Sequence, residues 1–140
     1  MIQIRPLGAG DYAAASALWR ASEGVVLRSG DTYEGFLRFL ERNPGLSLGA
    51  FANRELVGAV MVGHDGRRGY LYHMAVTPMR QRSGIGRQLV EEVLRNMRNV
   101  GIDGLHVFVE TDNQDAKRFW AGLGWRKRLE LVIFSRSISG

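Results

Sequence analysis

The stretch that decides the fold runs from Ala75 to Met97 and reads AVTPMRQRSGIGRQLVEEVLRNM. An apolar run ends at Pro78, a polar group and two glycines follow, and apolar residues then recur every three or four positions up to Gly101. That spacing predicts an amphipathic helix that begins near the second glycine. Its apolar stripe is Leu89, Val90, Val93, Leu94, Met97 and Val100. The chain is therefore expected to pass from a strand into a helix through a glycine-rich turn.

The glycine-rich turn has the properties of an anion site. A helix begins with about four N–H groups that lack helical partners and with roughly half a positive charge, and phosphate suits both. Gly84 and Gly86 let phosphate oxygens approach the backbone, while Arg82, Ser83 and Arg87 add donors. We expect a diphosphate cradle over residues 82–87, although a plain strand-to-helix turn also accounts for the glycines. A P-loop is excluded because no Gly-Lys-Ser/Thr follows, and the dinucleotide fingerprint because its third glycine is missing.

The composition fits one soluble globular domain over residues 1–140. The chain has no cysteine, which excludes disulfides and thiolate metal ligands and suits a reducing cytoplasm. Its three histidines show no metal-ligand spacing, so we expect no metal. No signal peptide is visible, and no apolar run approaches the roughly 20 residues of a membrane helix. We therefore expect a cytoplasmic protein that does not enter a membrane.

The formal charge of +5 comes from 19 Lys and Arg residues against 14 Asp and Glu residues. Such an excess either keeps a protein soluble or attracts an anionic partner. Most of the positive charge is arginine, whose planar fork grips phosphate well. Arg80, Arg82 and Arg87 lie together at the turn, which favours a local phosphate site over a nucleic-acid surface.

The whole chain predicts an α/β (α+β) fold with the element order β-α-α-β-β-β-α-β-α-β. Asp11 is suited to cap the first helix, and Asp31 or Thr32 the second. Three strands form an antiparallel meander before the glycine-rich turn, and residues 129–138 (LELVIFSRSI) are the expected last strand. A strand–helix–strand unit over residues 70–109 means that part of the sheet should be parallel.

A second motif, NQDAKRFWAGLGW at residues 113–125, follows the next predicted strand. Together with QRSGIG at residues 81–86, it resembles the GNAT family of N-acetyltransferases. The family's motifs are Gln/Arg-x-x-Gly-x-Gly/Ala and Asn-x-x-Ala-x-x-Phe-Tyr-x-x-x-Gly-Phe. The first is matched in full; in the second, Trp120 replaces the Tyr and Trp125 the last Phe. The resemblance covers nearly the whole chain, and residues 60–76 resemble a branch of small bacterial acetyltransferases.

The resemblance implies a GNAT fold in which acetyl-CoA lies where two parallel strands splay apart, here residues 70–77 and 104–111. Backbone groups of Met74 and Val76 would pair with the pantetheine arm, and the cradle would hold the pyrophosphate. Asn113, Phe119 and Trp120 would lie along the cofactor, although Phe119 equally fits an ordinary core position. The expected cofactor-binding residues are Met74, Ala75, Val76, Gln81, Arg82, Ser83, Gly84, Ile85, Gly86, Arg87, Asn113, Phe119 and Trp120.

The usual acid and base of the family are replaced in this chain. Trp120 stands where many relatives have an acidic Tyr, and no carboxylate occupies the positions where some relatives have a catalytic Glu, here Tyr70 and Phe108. The remaining catalytic candidates are Tyr70, Tyr72 and Glu110, although the tyrosines also fit half-buried strand positions. Strand alternation predicts Tyr70 and Tyr72 on one face and a structural His73 on the other. Glu23, between the first two helices, is placed to meet an acceptor's ammonium group.

The resemblance implies an N-acetyltransferase that moves an acetyl group from acetyl-CoA to a primary amine of a small molecule or protein, by direct attack in a ternary complex. The alternative is a catalytically weak domain that binds or senses acyl-CoA, because the usual acid and base are both absent. A nucleic-acid-binding domain is disfavoured because no strand face interleaves aromatic and basic residues. Small members of the family often dimerise, so a homodimer is also open.

Overall fold

Five strands form one sheet in the computed structural model of the chain, which describes residues 1–139. The strands are β1 (Ile2–Pro6), β2 (Leu48–Ala52), β3 (Glu55–His64), β4 (Arg68–Val76) and β5 (Gly104–Val107). They lie side by side in the order of the sequence. β1 to β4 pair antiparallel and β4 pairs with β5 in parallel, which confirms the predicted mixed sheet.

Residues 1–139 contain four α-helices: α1 (Tyr12–Arg20), α2 (Tyr33–Arg42), α3 (Ile85–Asn99) and α4 (Gln114–Gly122). Three single turns of 3₁₀ helix cover Ala9–Asp11, Ser29–Asp31 and Pro78–Arg80. Thr32 caps α2, since its hydroxyl accepts a hydrogen bond from the Gly35 N–H at 3.1 Å. Asp11 precedes α1, but its carboxylate turns back to accept from the Gly8 N–H at 2.8 Å.

Different helices cover the two faces of the sheet. On one face, α1 and α2 pack over β3 and β4 around a buried cluster of Leu7, Ala15, Trp19, Phe36, Ala59, Met61 and Ala75. On the other face, α3 lies close to Gly58, where an added Cβ would be 3.2 Å from Ile85 and 3.3 Å from Leu89. Glycine at this position lets α3 approach the sheet. We refer to these as the α1/α2 face and the α3 face.

The chain divides into two compact units, Met1–Glu110 and the part that begins at Thr111. The first contains the whole sheet with α1, α2 and α3, and the second contains α4. The expectation of a single domain over residues 1–140 stays a prediction. Across residues 1–139, no helix has both the length and the apolar character that crossing a membrane requires.

The predicted last strand, residues 129–138, is wrong for the part of the chain that the structure describes. No helix or strand follows α4, and Leu129 and Phe134 are 81% and 93% exposed. A strand is stable only beside a neighbour that pairs its N–H and C=O groups, and strand propensity alone does not supply one. The strand expected over residues 104–111 is also shorter, since β5 ends at Val107.

Candidate functional site

β4 and β5 pair along only part of their length. The pairing runs from Arg68 opposite Gly104 to Leu71 opposite Val107, where β5 ends. β4 continues through residues 72–76, which within residues 1–139 pair only with β3. We call the point at which the pairing stops the fork. Beyond it, one edge of β4 is open.

The open edge of β4 presents main-chain groups of alternate residues. Thr77 N–H donates to the Val57 carbonyl of β3 at 2.8 Å. Successive peptide groups of a strand point to opposite sides, so Val76 and Met74 direct their N–H and C=O away from β3. The side-chain amide of Gln81 agrees with this for Val76, since its Nε2 donates to the Val76 carbonyl at 3.1 Å. The main-chain groups of Met74 and Val76 therefore face the side on which the family resemblance predicts the pantetheine arm.

A β-bulge interrupts β4 just beyond the fork. Ala59 lies opposite Ala75, while Met61 lies opposite Tyr72, so β4 has one more residue than β3 in this interval. His73 has φ +56°, in the left-handed region that non-glycine residues rarely adopt. Ala75 pairs with β3 and its side chain is buried in the core of the α1/α2 face, so it offers no hydrogen bond on the open edge.

The bulge overturns the alternation predicted for Tyr72 and His73. Tyr72 packs edge-on against Phe39 of α2 at a centroid distance of 6.0 Å, and His73 packs against Trp19 of α1 at 5.4 Å. Both partners belong to the α1/α2 face. The prediction that His73 lies on the opposite face from Tyr72 is therefore wrong, because the extra residue shifts the alternation by one. His73 is half-buried there, and its Nε2 lies 2.8 Å from Oδ1 of Asp31.

The cradle at residues 82–87 begins α3 with free amides. Gly84 is the N-cap at φ +91°, and nothing lies within 4 Å of the place where its Cβ would be. The first hydrogen bond of the helix runs from the Gln88 N–H to the Gly84 carbonyl at 3.0 Å. The N–H groups of Ile85, Gly86 and Arg87 come before it and have no helical partner. The space and the donors fit a phosphate group.

The side chains of the cradle add positive charge on the surface. Arg82 and Arg87 are exposed and form no ion pair among residues 1–139. Arg82 has φ +65°, so the chain turns sharply before the helix. The Ser83 hydroxyl donates to the carbonyl of Arg80, which ties the turn to the preceding 3₁₀ helix. The guanidinium groups are thus free to pair with an anion.

The two candidate tyrosines lie together at the fork. The rings of Tyr70 and Tyr72 stack at 6.3 Å, and Tyr70 also stacks on Phe108 at 5.9 Å. Burial, and secondarily the electrostatic interaction with the neighbouring Tyr70, raise the pKa of Tyr72 above its ordinary value. Tyr72 therefore keeps its proton at neutral pH, which suits a hydrogen-bond donor and excludes a general base.

The two candidate glutamates are exposed and make no polar contact among residues 1–139. Glu23 is exposed in the segment between α1 and α2, and Glu110 is exposed three residues beyond the end of β5. Neither makes a hydrogen bond or an ion pair among residues 1–139. Among residues 1–139, the structure therefore shows no hydrogen bond between either carboxylate and Tyr70 or Tyr72.

The remaining predicted residues belong to the second unit. Asn113 caps α4, since its Oδ1 accepts from the Ala116 N–H at 3.0 Å. Trp120 is buried between Phe119, at a centroid distance of 5.0 Å, and Trp125, at 4.6 Å. Such packing is ordinary for a helix core and gives the indole a structural role within this unit.

The sequence did not predict two contacts near the fork. Asp31 meets His73 across 42 residues, and Phe39 of α2 meets Tyr72. Neither contact has a local signal, because both depend on how α1 and α2 lie over β4. Within residues 1–139, no three His, Asp or Glu side chains come together as a metal site would require.

Comparison with known proteins places these features in context. Residues 12–125 match the family model described as the Acetyltransferase (GNAT) family. An acetyltransferase of Pectobacterium atrosepticum is 32% identical over 130 residues, covering 92% of this chain and 86% of the relative.

Solved structures share the fold at low sequence identity. The PaiA N-acetyltransferase of Thermoplasma acidophilum, solved with coenzyme A, has a TM-score of 0.78 at 23% identity and covers 88% of each chain. Ard1 of Thermoplasma volcanium has a TM-score of 0.79 at 20% identity over 88% of this chain and 81% of its own. These two similarities bear on the fold alone.

Proposed function

Because the chain belongs to the acetyltransferase (GNAT) family, we propose that it transfers an acetyl group from acetyl-CoA to a primary amine. The acceptor is a small molecule or a protein amino group that attacks directly in a ternary complex. The observation that carries this proposal is the arrangement of free amides at the start of α3, in the chain segment that follows the open edge of β4. The free amides suit a pyrophosphate, and the open edge of β4 suits the extended pantetheine arm, which contains amide groups.

The cradle and the β4 edge would hold acetyl-CoA through different groups. The amides of Ile85, Gly86 and Arg87, with the side chains of Arg82 and Arg87, would bind the pyrophosphate. Met74 and Val76 would pair with the pantetheine arm as a strand pairs with its neighbour. Gln81 and Ser83 brace the turn through their bonds to main-chain carbonyls, and Ala75 remains a proposed cofactor contact. Asn113, Phe119 and Trp120 remain proposed cofactor contacts from the second unit.

Acetyl-CoA supplies an activated thioester, and the chain must position the amine and stabilise the charge that develops. The amine nitrogen forms a bond to the carbonyl carbon, the carbon–sulfur bond breaks, and the nitrogen loses a proton. The Met74 N–H on the open edge would donate to the carbonyl oxygen as it becomes negative. A fixed main-chain donor costs no reorganisation during the step, which is why such groups stabilise oxyanions well.

The proton transfers fall to residues at the fork. Tyr72 keeps its proton because its pKa is raised, so its hydroxyl would donate a hydrogen bond to the departing sulfur. Trp120 is no substitute, since an indole N–H is not acidic near neutral pH. Glu110 would accept the amine's proton through water, with Tyr70 orienting that water. Glu23 would attract the incoming ammonium group before it is deprotonated.

A second candidate is a domain that binds acyl-CoA and turns it over weakly. The exposed positions of Glu23 and Glu110, whose carboxylates make no hydrogen bond among residues 1–139, favour it. Incubation with acetyl-CoA and a panel of amines, with free CoA thiol measured over time, separates the two. Amine-dependent thiol release supports the transferase. Micromolar CoA binding without release on any amine supports the binding domain.

The compartment and the assembly are further parts of the proposal. The absence of cysteine suits a reducing compartment, and we place the protein in the cytoplasm. We propose a reaction without a metal and without nucleic acid, and a homodimer as the assembly to test by light scattering.

A further inference from the structure

Four aromatic rings lie together on the α1/α2 face at the fork, and three of them, those of Tyr70, Tyr72 and Phe108, contact one another. Phe39 of α2 meets Tyr72 edge-on, Tyr72 stacks with Tyr70, and Tyr70 stacks with Phe108 at an interplanar angle of 12°. Tyr72 also contacts Phe108 directly, at a centroid distance of 6.3 Å. We call these four residues the aromatic row.

The row ends on the surface beside the reacting position. Tyr72 is the first residue of β4 beyond the pairing with β5, and Phe108 is the first residue beyond β5 itself. Phe108 is 54% exposed, so part of the residue is open to solvent although the rings of Tyr70 and Tyr72 pack against it. Met74, the proposed oxyanion donor, is only two residues beyond Tyr72. A ligand group on the row would therefore be next to the transferred acetyl group.

The two faces of the sheet separate the two substrates. The cradle opens α3, which covers one face, whereas the row lies on the other. If acetyl-CoA binds at the cradle and reaches through the open edge of β4, its acetyl end arrives on the α1/α2 face. This step rests on the proposed function, and it assigns the row to the amine acceptor.

The chemistry of the row selects one kind of acceptor. The row consists of two phenylalanines and two tyrosines, so it offers no carboxylate to a polyamine or a basic peptide. Near-parallel rings accept a further ring in offset or edge-to-face contact, and ring faces attract an ammonium group. We propose that the acceptor is an arylalkylamine, a primary amine carried on an aromatic group that packs on the exposed part of Phe108.

A matched pair of amines tests the proposal. 2-Phenylethylamine and 2-cyclohexylethylamine have the same chain and nearly the same bulk, but only the first has an aromatic ring. The test compares kcat/KM for the two amines, by thiol release, in the wild type and in Phe108→Leu. The substitution keeps an apolar side chain and removes the ring. Val100→Ala is the control, because Val100 is similarly exposed at 49% but lies at the C-terminal end of α3.

We expect the wild type and Val100→Ala to prefer the aromatic amine by roughly fivefold, the size of an aromatic pair contact. We expect Phe108→Leu to lose that preference by slowing only the aromatic amine. Equal rates for the two amines in the wild type, or an equal loss for both in Phe108→Leu, would overturn the proposal.

A binding measurement keeps the inference separate from the proposed function. If CoA binds but no amine is acetylated, the proposed transferase activity is wrong. Calorimetry with 2-phenylethylamine on the CoA-loaded protein then tests whether the aromatic row binds an aromatic amine. Binding that weakens in Phe108→Leu supports the aromatic site. The absence of binding overturns it.

Discussion

His73 Nε2 and Asp31 Oδ1 lie 2.8 Å apart, which joins the bulge of β4 to the 3₁₀ turn before α2. Both side chains are largely buried, at 16% and 18% exposed. The second carboxylate oxygen of Asp31 accepts from the Arg28 N–H at 2.7 Å. One carboxylate thus fixes the end of the segment between α1 and α2 against the strand that forms the fork.

Removal of this carboxylate should destabilise the fold. We expect Asp31→Ala to lower the free energy of unfolding by about 2 kcal/mol, since two hydrogen bonds to a charged group are lost in a half-buried place. Urea unfolding followed by circular dichroism measures this. Asp115→Ala is the control, because Asp115 is 87% exposed and pairs only with Arg118, and an exposed pair contributes little. Equal decreases in the free energy of unfolding of the two variants would show that the contacts of Asp31 contribute no more than an exposed ion pair.

Blocking the cradle should remove CoA binding without unfolding the protein. We expect Gly86→Glu to weaken CoA binding by at least roughly tenfold, because it places bulk and negative charge among the phosphate donors. The helix itself should tolerate a carboxylate at its positive end. Calorimetry with CoA gives the affinity. Gly10→Glu is the control, because it adds the same charge at an exposed glycine that is distant in sequence from the cradle. A similar loss of CoA affinity in this variant would contradict the placement of the site.

The arginines of the cradle should make CoA binding depend on salt. We expect Arg82→Ala combined with Arg87→Ala to weaken binding by about tenfold at low ionic strength, and by less as added salt screens the wild type. Titrations at several NaCl concentrations provide the test. Arg98→Ala removes an exposed arginine from the last turn of the same helix. If it reduces the affinity as much, the effect is one of net charge alone.

Acid should weaken the link between β1 and α1. The hydrogen bond from Arg5, with a further one from the Gly8 N–H, lowers the pKa of Asp11 below its ordinary value. A lowered folded-state pKa gives stability that is complete above about pH 5 and is lost as the pH falls through the folded-state value. We expect Asp11→Asn to be less stable than the wild type at pH 7 and to approach it in acid. Denaturant unfolding across this pH range provides the measurement.

A control variant separates this effect from general acid sensitivity. Asp103→Asn removes an exposed carboxylate that makes no ion pair among residues 1–139. Its difference from the wild type should stay near zero at every pH. If Asp11→Asn behaves in the same way, the Arg5–Asp11 pair contributes nothing measurable.

The sequence predicted those parts of the fold that depend on local patterns. The meander of β2, β3 and β4, the glycine turn and the start of α3 all follow from apolar periodicity and from glycine placement. Gly84 in particular adopts the positive φ that its position in the motif requires. Such features depend on a few consecutive residues, so the local sequence is enough to predict them.

The failures came where one strand depends on another. The bulge at His73 arises because β4 is one residue longer than β3 between paired positions, and the sequence of β4 alone does not reveal that mismatch. Residues 129–138 have apolar side chains suited to a strand, yet no pairing partner forms one with them in the part of the chain that the structure describes. Pairing is a property of two segments, and periodicity describes only one.

Three donors of the cradle are the main-chain amides of Ile85, Gly86 and Arg87, which do not depend on the identity of the side chain. Mutational drift that leaves the two glycines and the two arginines in place should therefore preserve phosphate affinity, provided that the backbone keeps its course. Gly84, at φ +91° with open space around it, is the position where a randomised library should return a single dominant residue.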